Sequence, residues 1–193
     1  MIQIFGDFRE EPQDNVDYLI VGFSPASLPL KQRWRNKGLS ADFIAEYLQT
    51  FFVGKEQNTS NGFISAYNKN AAKYIANELL ENAMKFSDPD ACYSTRISFY
   101  LHNDQLVFYI SNSLNAENKE KFQVYLEKIL TGDPQQLYIE QMEANAQEAD
   151  GTTSRLGFLS MICDYSAILG WRFTPLPGDA ALSVVTTMVA LDL

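Results

Sequence analysis

Residues 63–86 carry an unbroken helical pattern that Ser87, Asp88 and Pro89 close. Proline has no N–H and pushes the residue before it out of the helical region, so the helix must stop there. At 3.6 residues per turn, Ala72, Ile75, Ala76, Leu79, Ala83 and Phe86 fall on one side. That side must be buried, which commits the chain to a fold in which one long helix lies on an apolar surface. On the neighbouring face, within an arc of about 60°, stand Glu78, Asn82 and Lys85. The acid can orient or deprotonate a nucleophile, the amide oxygen can ligate a hard cation such as Mg²⁺, and the ammonium can meet a phosphate. A polar helix face that merely meets solvent is the plainer reading of the same residues.

Strands supply the surface for this helix. Tyr93, Thr95, Ile97, Phe99 and Leu101 alternate along one strand, Asn103-Asp104 turns the chain, and Leu106, Phe108 and Ile110 return. Strands at about 171–175 and 181–192 close the chain through Pro177-Gly178-Asp179, and the β-branched run in the last one places it centrally in the sheet. Near the start, residues 2–8 and 17–24 read as a strand pair, with residues 10–15 as turn material. Ser40 caps a helix over 41–52 with Ile44, Leu48 and Phe51 inward, and 54–62 reads as a polar loop. Residues 116–130 form a helix through Phe122, Tyr125, Leu126 and Ile129. A short helix from 135 leads into a mobile loop ending near 154, and 156–169 is helical up to Gly170. Hairpins alternating with helices indicate an α+β fold: a two-layer sandwich with a mostly antiparallel mixed sheet and helices on one face. No repeat or linker divides residues 1–193, which read as one domain: N-terminal strands and helix over 1–62 and a core over 63–193.

Composition narrows the function classes. Hydrophobic residues make up 46% and charged residues 20%, as in ordinary globular chains. No apolar run approaches the roughly 18 residues that span a bilayer, and the first residues lack a basic region followed by an apolar one. A cytoplasmic protein without membrane partners is expected. The formal net charge of −9 argues against nonspecific nucleic-acid binding. Lys31, Arg33, Arg35 and Lys37 nevertheless surround Trp34, and this patch is either a solvated loop or a docking surface for an acidic partner. Cys92 and Cys163 read as buried thiols and His102 as an exposed turn residue. One histidine and two separated cysteines make neither a zinc site nor a nucleophile–His–acid triad.

The stretch Glu78-Leu-Leu-Glu-Asn82-Ala-Met-Lys85-Phe resembles the N-box of the gyrase, Hsp90, histidine-kinase and MutL (GHKL) ATPases, which also lies on a long helix ahead of a strand hairpin. The resemblance implies a Bergerat-type ATP-binding fold with ATP and Mg²⁺ as cofactors. It makes Asn82 the Mg²⁺ ligand, Glu78 the residue that positions or activates the nucleophile, and Lys85 a phosphate contact. After the hairpin the family has an Asp that reads adenine, followed by glycines; Asn112 stands at that place, in Ile110-Ser-Asn-Ser-Leu, without the glycines. The glycine-rich lid of the family corresponds to Gly151-Thr-Thr-Ser-Arg155-Leu-Gly157-Phe, where Leu156-Gly157-Phe158 matches and Arg155 replaces a glycine. An arginine cannot offer glycine's backbone freedom, but its guanidinium can grip a phosphate.

In size and layout the chain is similar to the small anti-sigma-factor and SiaB-like kinases of bacterial partner switching, and it resembles a cyanobacterial-type subgroup of them. The resemblance implies a Ser/Thr kinase acting on a small antagonist protein, and it allows a homodimer. The alternative is a binding module of the same fold that has weakened or lost nucleotide binding and sequesters a regulatory partner.

Overall fold

The long helix forms and starts earlier than its apolar pattern indicates. The computed structural model describes residues 1–12, 16–23, 41–48, 59–102, 105–147 and 156–193. The basic patch around Trp34, Ser40, Phe51, Phe52, the Asn103-Asp104 turn, Gly151, Arg155 and the side chain of His102 lie outside the described residues. Helix α2 spans Thr59–Phe86 and takes in residues 59–62, read from sequence as loop; their polar character gave no apolar face to detect. A shorter helix, α1, covers residues 41–48 and buries Ala41, Ile44, Ala45 and Leu48.

On α2, Ala72, Ile75, Ala76, Leu79 and Ala83 are all at most 2% exposed, as their spacing requires. Their alanines let the helix lie close to the sheet. Phe86 departs from the expectation and is 43% exposed. It is the last residue of the helix, where the Asp88 N–H donates to Ser113 O (3.2 Å) and draws the chain down to the sheet. Its ring stays outside, with Lys85 Nζ 5.6 Å from the centroid.

The sheet joins β1 (Gln3–Gly6), β2 (Asp17–Phe23), β3 (Thr95–His102), β4 (Gln105–Asn115), β5 (Ile168–Leu176) and β6 (Asp179–Asp192). The order is β1-β5-β6-β4-β3-β2, and every pairing is antiparallel. The expected hairpins β3–β4 and β5–β6 are present, and β6 is central, paired along its length with β4. The N-terminal strands do not pair with each other. β1 lies against β5 at one edge and β2 against β3 at the other. Residues 10–12 are therefore part of a crossing over the sheet instead of a turn. The crossing begins at Gly6, whose φ of +64° only glycine adopts freely. It passes over Gly170, where a Cβ would collide with the Phe8 backbone.

Three helices complete the chain. α3 (Ala116–Thr131) starts at Asn115, whose side chain accepts from the Asn118 N–H. α4 (Pro134–Gln147) is a full 14-residue helix, longer than the short one expected. α5 (Gly157–Tyr165) ends four residues before the expected stop. Ser166 adopts the left-handed conformation (φ 53°), and Ile168-Leu169-Gly170 enters β5. The apolar run there alternates between faces: Leu169 joins the main core and Ile168 the opposite side.

Helix residues and one face of the sheet share the main core, which contains Ile97, Phe99, Leu106, Phe108, Ile110, Leu114, Trp171 and Phe173. The other face carries Tyr100, Val107, Tyr109, Met188 and Ala190, covered by Phe8 and Val16 and, among the described residues, by no helix. Cys163 is half-buried, but Cys92 is exposed, against expectation: it lies between Pro89 and β3, before the chain enters the sheet. No helix among the described residues is long and apolar enough to cross a membrane.

Candidate functional site

The polar row on α2 takes shape where that helix meets the start of α5. Tyr74, Glu78 and Asn82 follow one another four residues apart, hence about 6 Å along the axis at each step. Glu78 and Asn82 are half-buried, whereas Lys85 is exposed at the end of the helix, about 10 Å along the axis from Glu78. Gly157, the first residue of α5, is buried against Glu78: a Cβ placed on it would sit 2.5 Å from Glu78 Oε2 and 3.4 Å from Cδ. Glycine is thus what admits the carboxylate. The carboxylate also lies beside the N-terminus of α5, at the positive end of its dipole. Glu78 and Gly157, 79 positions apart in sequence, are brought together.

Sequence reasoning missed the aromatic surroundings of this acid. The Tyr74 hydroxyl is hydrogen-bonded to Ser160, and its pKa is pushed up to about 12, first by burial and further by the nearby Glu78 carboxylate. Its ring stacks on Tyr165 at 5.3 Å. Ser160 Oγ donates to the Tyr138 hydroxyl (3.3 Å), which donates to Asp164 Oδ2 (3.3 Å). Tyr67 donates to the Asp164 carbonyl (3.3 Å). Glu78 thus stands beside a hydrogen-bonded network that ties α2, α4 and α5. Helical spacing was the available signal for Tyr74, one turn ahead of Glu78. Nothing in the sequence pairs Ser160 with Tyr138.

The segment after the hairpin continues β4, with Asn112 opposite Val185 of β6. Its side chain lies on the helix-covered face between Ile110 and Leu114, only 5% exposed, and its Nδ2 donates to Ser113 O at 3.2 Å. Glycines would let the chain leave the ladder here; Ser113 and Leu114 keep it in register until Asn115 caps α3.

Two side chains of the α2 row, Glu78 and Asn82, could hold a metal ion. Asn82 and Glu78 offer oxygen atoms on adjacent turns, which suits a hard cation that keeps several waters and phosphate oxygens.

No family model matches the chain, and no curated protein does. Among solved structures, a chain of the SiaB–SiaC complex from Pseudomonas aeruginosa has the same fold, with a TM-score of 0.57. The likeness covers 90% of this chain and 89% of that one at 14% sequence identity.

Proposed function

We propose that the chain is an ATP-binding regulatory protein that moves the γ-phosphoryl group onto a Ser or Thr of a small partner protein. The observation that supports this reading is the seating of Glu78 against Gly157, one residue from each of the two stretches that carry the resemblance. The fold shared with a chain solved in a two-protein complex supports a protein partner. Bound Mg–ATP supplies the electrophilic phosphorus and its leaving group. Asn82 holds the metal, and Glu78 orients the attacking hydroxyl and takes its proton. Lys85 and Arg155 offset charge on the phosphates, and Asn112 meets the adenine edge. The test is transfer of labelled γ-phosphate to small proteins that co-purify with the chain. Transfer by wild type that drops at least about 100-fold in Glu78→Gln supports the reading; transfer unaffected by that change refutes the role of Glu78.

One observation favours the second reading, a binding module without nucleotide chemistry. Asn112 is locked into the β4–β6 ladder where the family opens a glycine loop. Under this reading the protein captures its partner equally well with and without ATP.

A further inference from the structure

We propose that the second face of the sheet is a receptor for an extended acidic peptide, and that residues 7–12 are its built-in occupant. The inference is independent of nucleotide binding. Residues 7–12 traverse the sheet strand by strand. The Asp7 N–H donates to Leu169 O on β5 (3.0 Å), and the Arg9 N–H meets Met188 Sδ on β6 (3.4 Å). Tyr109 on β4 donates its hydroxyl to Glu10 O (3.1 Å), and Tyr100 on β3 donates to Glu11 Oε2 (2.6 Å). Glu10 pairs with Arg172 and Glu11 with Arg96. Phe8 packs edge-on against Tyr109 at 6.2 Å, under the Arg172 guanidinium.

The face beneath has the layout of a binding surface. Arg172, Thr186, Ser111 and Arg96 stand in one register row across β5, β6, β4 and β3, the two hydroxyls sharing a 2.9 Å hydrogen bond. Three strand spacings put the arginine backbones about 14 Å apart. The rows alongside carry Met188 with Tyr109, and Ala190 with Val107 and Tyr100. A matching ligand is an extended segment with an aromatic residue ahead of two acids, and Phe8-Arg9-Glu10-Glu11 is such a segment. The occupant is held largely through side chains, and it leaves one donor unused. Glu10 engages Arg172 through Nη1, while the buried Arg172 Nε–H has no partner among the described residues. A carboxylate that grips the guanidinium through both nitrogens makes the bidentate pair that Glu10 does not.

The experiment uses the full chain and a fluorescent synthetic peptide of residues 6–12, Gly-Asp-Phe-Arg-Glu-Glu-Pro. Glu10→Gln/Glu11→Gln weakens the strap without touching the receptor. It should raise peptide affinity about tenfold over wild type, because the open face is more populated. Arg96→Lys/Arg172→Lys keeps the charge and the fold but loses the fork, and should weaken binding; a peptide with Phe replaced by Ala should bind poorly. Equal affinity for all three chains, or no binding to the strap variant at millimolar peptide, overturns the proposal. So does a strap variant that becomes a dimer which the peptide cannot dissolve, since the occupant would then be a second copy.

Discussion

Gly157→Ala tests the contact on which the site is built, and it does so through stability alone. The new Cβ would lie 2.5 Å from Glu78 Oε2, and ordinary contact begins near 3.4 Å, so the carboxylate must yield by about 0.9 Å. Rotating it away from its preferred torsions costs about 0.5–1.5 kcal/mol. Alanine in place of glycine at the start of a helix returns something under about 1 kcal/mol. The single substitution should therefore have a small net effect, between about 0.5 kcal/mol stabilising and about 1.5 kcal/mol destabilising. With Glu78→Ala already in place the obstacle is gone, because the remaining Cβ of residue 78 lies at an unstrained 3.7 Å. There Gly157→Ala should stabilise by up to about 1 kcal/mol. Urea unfolding of wild type, both single variants and the double variant gives the coupling, predicted at about 1 kcal/mol. Additivity within about 0.3 kcal/mol would refute the placement of Glu78. In phosphoryl transfer, shifting the acid by about 1 Å should cost on the order of 100-fold in rate.

Other perturbations probe the frame around the site. Leu79→Ala removes a side chain 1% exposed at the helix–sheet interface and should cost about 2–5 kcal/mol in chemical denaturation. Asn115→Ala removes both the α3 cap and the hydrogen bond from Asn115 Nδ2 to Asp88 Oδ2 (3.2 Å), for a loss of about 1–2 kcal/mol. Tyr74 and Tyr109 have pKa values raised by burial to about 12, against about 10 when unfolded. The unfolded chain therefore loses these protons first, and stability present below pH 10 falls as pH rises towards 12. Absorbance at 295 nm should show late-titrating tyrosines, and Tyr74→Phe should flatten the loss of stability over that range.

Much of the fold was legible because local and global preferences agree. The α2 stripe, the two hairpins and the β-branched last strand all show periods that tertiary packing confirms. What escaped reading depends on contacts distant in sequence. β1 and β2 look like a pair, yet a glycine at 170, far along the chain, lets the backbone of Phe8 cross the sheet and separate them. The acids at 10 and 11 read as turn residues because nothing local shows Arg172 and Arg96 waiting for them. The end of α5 was misplaced because Ile168 and Leu169 continue an apolar run while switching from helical to alternating burial. At the site, the motif singled out Glu78 and Gly157 separately, and the structure puts the two side by side. The setting of Asn112 was not legible, since whether a strand continues past a missing glycine is decided by its partner, here β6.

The most direct measurement of the central claim is calorimetric titration of the full chain with ATP in the presence and absence of Mg²⁺. The account predicts saturable binding below millimolar ATP that requires Mg²⁺ and is lost in Asn82→Ala, with the unfolding transition of that variant unchanged. No binding of Mg–ATP at millimolar concentration would contradict it.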